Sequence, residues 1–362
     1  MRKLGISIYP DKSSVSDMKT YIENAAHAGF SRIFSCLLSV DKSKAVIVEE
    51  FKDINDFAHE LGFEVIVDVS PRVFNELGIS YNDLSFFKEI GADGLRLDQG
   101  FTGLEEAMMT YNPYDLLIEI NASMDTHTID TIMDYQPNRF NLISCHNFYP
   151  HPYTGLSLDF FNKANAHFTR YGLRTAAFVT SQAPASFGPW PVSDGLCTLE
   201  LHRNLPLDVQ IKHFIAMDSV DDILISNCYP SPQELKAVSK INLTKVNFSC
   251  TLIDNLPEIE TKIVLEEPHF NRGDVNENLI RSTQSRVKYK GHAFELVNVP
   301  DIIRRGDIII ESKDYGHYAG ELMIAKTDMK NSGKSNVVGR INEDEVFLLD
   351  YIKPWQKFEF TR

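Results

Sequence analysis

A chain of 362 residues is too long for a single small binding domain and has room for two or three domains of about 150 residues, or one large barrel with a smaller module. Its 43% hydrophobic and 24% charged residues, with 16 prolines and 19 glycines, belong to a globular protein that buries large cores. Lys and Arg number 36 against 50 Asp and Glu, a formal charge of -14. The chain as a whole therefore repels polyanions, which argues against generic nucleic-acid binding; a phosphorylated ligand requires a local group of cations.

In chain order, the first two thirds alternate short β-rich runs with longer amphipathic segments. The runs are 4–10 (LGISIYP), 32–40, 64–70 (EVIVDVS), 94–99 (GLRLDQ), 115–121 (DLLIEIN), 140–147 (FNLISCHN), 175–181 (TAAFVTS) and 222–229 (DILISNCY). Segments 15–29, 48–62 and 158–172 between them are apolar at i, i+3, i+4 spacing and end in glycine, as do the residues before the fourth run at Ile90-Gly91. Eight strand–helix units in roughly 240 residues predict a (β/α)8 barrel, which takes about 250. An open doubly wound sheet is the alternative; the missing G-x-G-x-x-G after the first strand and the polar strand ends favour the barrel.

A final helical stretch ends near residue 241. Beyond it the pattern changes to short strands, predicted at 246–252, 262–266, 307–311, 321–326 and 345–351, with turns at 271–274, 305–307 and 331–333. The predicted organisation is a TIM-barrel domain over 1–241 and a small mostly-β barrel over 242–362. Ser332-Gly333-Lys334-Ser335 mimics the end of a P-loop, but Asp328 stands where the first glycine belongs, so it reads as a turn.

The cysteines, Cys36, Cys145, Cys197, Cys228 and Cys250, are odd in number, widely spaced and without C-x-x-C, which suits reduced thiols. The basic start meets an apolar run too short and too interrupted for a signal peptide, and no uncharged stretch reaches about 18 residues. A cytoplasmic location is expected.

In a (β/α)8 barrel, reactive groups project from strand C-termini, and alternation along a strand decides which residues share the mouth. Asp68 shares parity with Ser70, Arg96 with Asp98, and Glu119 with Asn121. Three adjacent strands thus aim Asp68, Asp98 and Glu119 toward one space at about 5 to 7 Å spacing, the range of carboxyl pairs in glycoside hydrolysis. The alternative is a helix cap or a pairing with Arg96. The sixth strand runs into His146-Asn147-Phe148-Tyr149-Pro150-His151, a mixture of aromatic faces and hydrogen-bond donors suited to sugar rings. Zinc binding by His146, His151 and His202 lacks a recognised ligand spacing, and no metal or cofactor is expected. The long connection 182–204 reads as a binding loop, with Trp190 as a platform or an anchor and Glu200, His202 and Arg203 at its charged end. In the second domain Arg281 and Arg286, with Lys288 nearby, form the leading cation cluster for an anionic ligand.

LGISIYP at the start, LRLDQGF around Asp98, IEINAS around Glu119, SCHNFYPHPYTGL from Ser144, TLELHR, and the later IRSTQSR, YGHYAGEL and NVVGRI segments together resemble the 6-phospho-N-acetylmuramidases along essentially the whole chain. The resemblance implies a TIM-barrel glycosidase with a cyclophilin-like second domain. It further implies cleavage of N-acetylmuramic acid 6-phosphate linked β-1,4 to N-acetylglucosamine, in peptidoglycan recycling after uptake by a phosphotransferase system. With that substrate, Glu119 is expected as proton donor and Asp98 as the group facing the oxocarbenium ion or orienting the 2-acetamido group, with Asp68 and Glu200 in reserve. Arg96, Asn121, His146, Asn147, Tyr149, His202, Arg203 and Asn227 are expected to bind the sugars, and Arg281 and Arg286 the 6-phosphate or lactyl carboxylate. A metal-dependent sugar isomerase or epimerase and a non-catalytic sugar-phosphate sensor are the competing classes.

Overall fold

The computed structural model describes residues 2–37 and 43–362. Eight parallel strands, β1 (Lys3–Ile8), β2 (Arg32–Leu37), β3 (Glu64–Val69), β4 (Gly94–Leu97), β5 (Leu117–Asn121), β6 (Leu142–Cys145), β7 (Thr175–Val179) and β8 (Asp222–Ile225), close into a barrel in chain order, β8 pairing back onto β1. The predicted extension of β2 over 38–40 lies outside the described residues.

The connecting helices include α1 (Val15–His27), α2 (Lys44–Glu60), α3 (Pro71–Glu76), α4 (Ser85–Glu89), α5 (Leu104–Met109), α6 (Thr128–Asp134), α7 (Leu158–Thr169), α8 (Leu207–Met217) and α9 (Pro232–Val238). Their starts are written locally: Ser14 accepts from the Asp17 amide at 3.1 Å, and Ser231 with Glu234 forms a reciprocal capping box before Pro232. Their stops are too. Gly29 and Gly62 close α1 and α2 at φ of +89° and +82°, a conformation that costs a side-chain-bearing residue energy and glycine little.

Register decides what the barrel encloses. Cys36, Asp68, Arg96, Glu119 and Ile143 are successive partners across β2 to β6, so their side chains share the interior. Deeper in the barrel, Arg32 is fully buried and its guanidinium pairs with both Glu119 and Asp222. Arg174 joins Asp222 to Glu64, each at 2.6 Å, and Lys3 reaches Glu64 at 3.1 Å. Buried carboxylates are tolerable here because each meets a cation.

The chain divides into two compact units, Met1–Ile211 with Ser219–Lys240, and Lys212–Asp218 with Ile241–Arg362. The second unit holds a seven-stranded sheet built from β9 (Val246–Leu252), β10 (His269–Phe270), β11 (Leu279–Ser282), β13 (Asp307–Glu311), β14 (Leu322–Ala325), β16 (Ser335–Ile341) and β17 (Lys357–Thr361), while β12 (Ile302–Ile303) and β15 (Met329–Lys330) pair separately. The sheet order is β10-β17-β9-β16-β13-β14-β11, antiparallel except where β17 runs beside β9. Its two edges approach each other, His269 Nδ1 lying 3.0 Å from Ser282 Oγ and the Arg272 amide donating to the Arg281 carbonyl at 3.0 Å. The sheet is therefore nearly closed around Phe248, Ile280, Ile308, Ile324 and Phe358.

Two strands expected in this unit are helical. Residues 262–265 belong to α10 (Glu258–Leu265) and Glu266 caps it, with Ile263 and Val264 facing the core, and 345–351 fall largely in a 3-10 segment, Glu343–Asp350. Short apolar runs do not distinguish a strand from a buried helical turn. Conversely, residues 335–341, where no strand is expected, form β16. The P-loop-like tetrapeptide is a turn, with Gly333 bound through its amide to Asn331 Oδ1 at 3.0 Å.

The charged barrel interior gives a first prediction. Arg32→Met should lower stability by about 3–5 kcal/mol in urea denaturation, because it leaves the buried Glu119 carboxylate without its cation and Asp222 with Arg174 alone, whereas replacing Arg32, Glu119 and Asp222 together by apolar residues of matching volume should cost far less.

Candidate active site

Residues on β2, β3, β4 and β7, with the segments that follow β3, β4, β6 and β7, line a cavity of about 400 Å³ at the barrel mouth. Arg96, on β4, is its centre. Its guanidinium, nearly fully buried, donates from Nη1 to Asp68 Oδ1 at 2.6 Å and to Asp98 Oδ1 at 3.3 Å, and from Nη2 to the Asn147 side-chain oxygen. Two carboxyl oxygens sharing one nitrogen stand no more than about 6 Å apart, a limit that takes in the short spacing of an acid and a nucleophile in glycosidases.

The two acids differ in environment. Asp68 is 9% exposed, and burial raises its carboxyl above the usual range, Arg96 opposing and Asp98 reinforcing the shift. Cys36 Sγ approaches its other oxygen at 3.5 Å. Asp98 is open to solvent, its side chain 46% exposed. One carboxyl inclined to keep a proton beside one facing water is the asymmetry that acid–base chemistry on a single bond requires.

The cavity has an aromatic side. Phe34, Phe148 and Phe178 pack edge to face, with centroids 6.3, 5.1 and 5.1 Å apart. Trp190 lines the same space with half its surface exposed, so the platform role expected of it is geometrically open. Arg72, in the first turn of α3, brings an exposed guanidinium to the rim, 3.9 Å from Glu76.

Several expected site residues sit elsewhere. Glu119 is fully buried and paired with Arg32, so it is closed off from the mouth and cannot meet a leaving group there. His146 has the opposite parity to Asn147 and turns outward, its Nε2 3.2 Å from Asn165 on α7 and its ring against Phe161; burial lowers its pKa to about 4. Asn227 is buried and spends its amide on the Ser181 backbone and Ser186 Oγ. His202 is fully buried in a short 3-10 turn. His146, His151 and His202 do not form one group among the described residues.

Glu200 and Arg203 build the long loop. All three side-chain nitrogens of Arg203 are engaged: Nε and Nη2 grip Glu200 at 2.7 Å each, and Nη1 reaches the carbonyls of Tyr149, Asp194 and Gly195. Glu200 also accepts from the Tyr153 and Gly155 amides, and the Arg203 bond with these contacts holds its carboxyl near 2, which removes it as a reserve acid. Asn121 braces the mouth, donating to the Asp98 carbonyl at 3.4 Å and accepting from Ser123. Tyr149 is half-buried beside Arg203, its amide on the Cys197 carbonyl.

In the second unit, Arg281 and Arg286 both clasp Glu321, at 2.7 and 2.8 Å, with the Tyr318 ring over the two guanidiniums. The expected anion is thus already in place: it is the chain's own buried carboxylate, one that the two-arginine spacing could not reveal. Beside it Glu311 is pushed up to about 7, chiefly by burial and further by Glu321, against the Ser335 hydroxyl at 2.8 Å.

Family models described as 6-phospho-N-acetylmuramidase, N-terminal and C-terminal, match residues 4–240 and 246–361. A crystal structure of an uncharacterized B. cereus protein is 45% identical, covers 100% of this chain and 99% of its own, and superposes with a TM-score of 0.91. A conserved Enterococcus faecalis protein of unknown function is 24% identical over 99% of this chain and 96% of its own, with a TM-score of 0.73, and shares the fold. No curated protein matches.

The Glu311 environment generates a pH prediction. A carboxyl whose folded pKa lies above its unfolded value stabilises fully below the unfolded value, near pH 4.3, and that stability is lost as pH rises through about 7. The unfolding free energy from urea denaturation should fall over that window, by on the order of 3 kcal/mol at most, and Glu311→Gln should flatten the fall.

Proposed function

The chain belongs to the 6-phospho-N-acetylmuramidase family, and from that premise we propose that its barrel mouth hydrolyses the β-1,4 bond between N-acetylmuramic acid 6-phosphate and N-acetylglucosamine. The observation that carries the proposal is the pair Asp68 and Asp98 held on one guanidinium in a cavity of about 400 Å³ with an aromatic side. Among the described residues no helix is long and apolar enough to cross a membrane, and the setting we propose is cytoplasmic, acting on sugar delivered by phosphotransferase uptake during peptidoglycan recycling.

Asp68 is the proposed proton donor to the departing N-acetylglucosamine oxygen, since burial favours its protonated form. Asp98 faces the sugar carbon from which that oxygen leaves, either as nucleophile or by orienting the 2-acetamido oxygen for internal attack. Water then returns the proton to Asp68 and its hydroxyl to the sugar. Arg96 keeps the two acids at fixed separation, and as the charge on Asp68 develops its guanidinium stabilises it. Trp190 and Phe148 offer faces for the rings. Arg72 supplies the cation for the 6-phosphate, at the rim and exposed.

Turnover of the phosphorylated disaccharide, followed as reducing-sugar release, tests this. Asp68→Asn and Asp98→Asn should each lose about 10²- to 10⁴-fold in kcat while remaining folded; near-normal turnover by either excludes it from the chemistry. Arg72→Ala should raise KM at least about tenfold for the phosphorylated substrate and leave the unphosphorylated one nearly unchanged. An equal effect on both substrates removes the phosphate role from Arg72 without touching the assignment of the acids.

A further inference from the structure

Away from the mouth, two imidazoles and a carboxylate meet on the outer surface of the barrel. His127 caps α6 and Asp130 lies in its first turn, while His167 comes from the last turn of α7. One donor atom from each lies within 4.8 Å of the other two. We propose that His127, Asp130 and His167 form a zinc(II) site that clips α6 to α7.

The donor set fits. Two imidazole nitrogens and one carboxylate oxygen are ordinary zinc ligands, leaving water the fourth tetrahedral position. Ligand atoms about 2.0–2.2 Å from a tetrahedral ion stand roughly 3.4 Å apart. His127 Nδ1 and Asp130 Oδ2 are already 2.8 Å apart, and the His127 side chain, 83% exposed, is at liberty to adjust.

The surroundings of the ligands carry the inference further. A metal-bound histidine typically gives its other ring N–H to a carboxylate, which fixes the tautomer and aims the free nitrogen at the ion. His167 has that arrangement: its Nε2 lies 2.8 Å from Asp125 Oδ1, while its Nδ1 is buried without a hydrogen-bond partner. The Asp130 carboxylate is braced likewise, its Oδ1 held by the Tyr171 hydroxyl at 2.8 Å and by the Arg170 guanidinium, which leaves Oδ2 for a ligand. Lys163 pairs with the far oxygen of Asp125. These two cations balance the two aspartates, so zinc enters a locally neutral group on a chain of net charge -14. In binding, zinc replaces the contact between His127 and Asp130; a neutral His127 coordinates through one nitrogen and keeps its proton on the other.

Titration of the full chain with zinc chloride alone tests the site, read by calorimetry and by thermal unfolding, neither of which depends on turnover. One equivalent should bind, and the melting temperature should rise by roughly 5 °C at a hundredfold excess over Kd. His127→Ala and His167→Ala should each abolish that equivalent. Asp125→Asn, with all three ligands intact, should weaken it about 10- to 100-fold. Zinc bound as tightly by His167→Ala as by the parent chain, or no equivalent bound below roughly 1 mM, overturns the proposal; so does an Asp125→Asn variant of unchanged affinity, because the outer carboxylate is part of the argument.

Discussion

One guanidinium governs the barrel mouth. Arg96 is nearly fully buried, and a buried cation of this kind is tolerable only among partners that accept its hydrogen bonds. Asp68, Asp98 and Asn147 are those partners, and they come from three different βα units. The electrostatic demand of one side chain therefore fixes the relative positions of groups far apart in sequence. It also makes the acids unequal: Asp68 shares the burial of Arg96, while Asp98 reaches water.

The same chemistry appears deeper in the barrel with a different consequence. Arg32, Glu119 and Asp222 repeat the pattern of one guanidinium between two carboxylates, yet all three are sealed from solvent. A substrate cannot displace any of these partners, so that network serves the closure and register of the strands. Access separates the carboxylates at the mouth from the structural ones below, because charge pairing is common to both.

Much of this was legible in the sequence. Alternation along the strands put Asp68, Arg96 and Asp98 on the interior side, and the glycine stops marked where helices such as α1 and α2 end. Depth was not legible. Glu119 shares the parity of the mouth residues but sits opposite Arg96 across the sheet, and strand tilt carries its carboxylate down toward Arg32. Nor could spacing reveal partners: Glu200 and Arg203 look like a ligand-binding end of a loop, and instead hold that loop to residues 149–155 and 194–195. In the second unit the β-rich pattern was readable, but the short apolar runs around Ile263 and Leu348 are buried by helical turns as effectively as by strands.

The chain's acidity makes the fate of each arginine informative. With -14 of net charge, most guanidiniums near a carboxylate are committed to it. Arg281 and Arg286 illustrate this: their spacing suits a phosphate, but Glu321 supplies the oxygens, and Tyr318 covers the pair. Arg203 is committed to Glu200 and three carbonyls, and Arg96 to the acids it positions. Arg72 differs in exposure: it reaches the rim of the acid-bearing cavity on a side chain 66% open to solvent, and its 3.9 Å approach to Glu76 is a surface contact worth little. The carboxylate between Arg281 and Arg286 is fully buried, so an incoming phosphate does not displace it. In the proposed function, recognition of the phosphate and cleavage of the glycosidic bond share one cavity, with Arg72 at its edge and Asp68 and Asp98 at its centre.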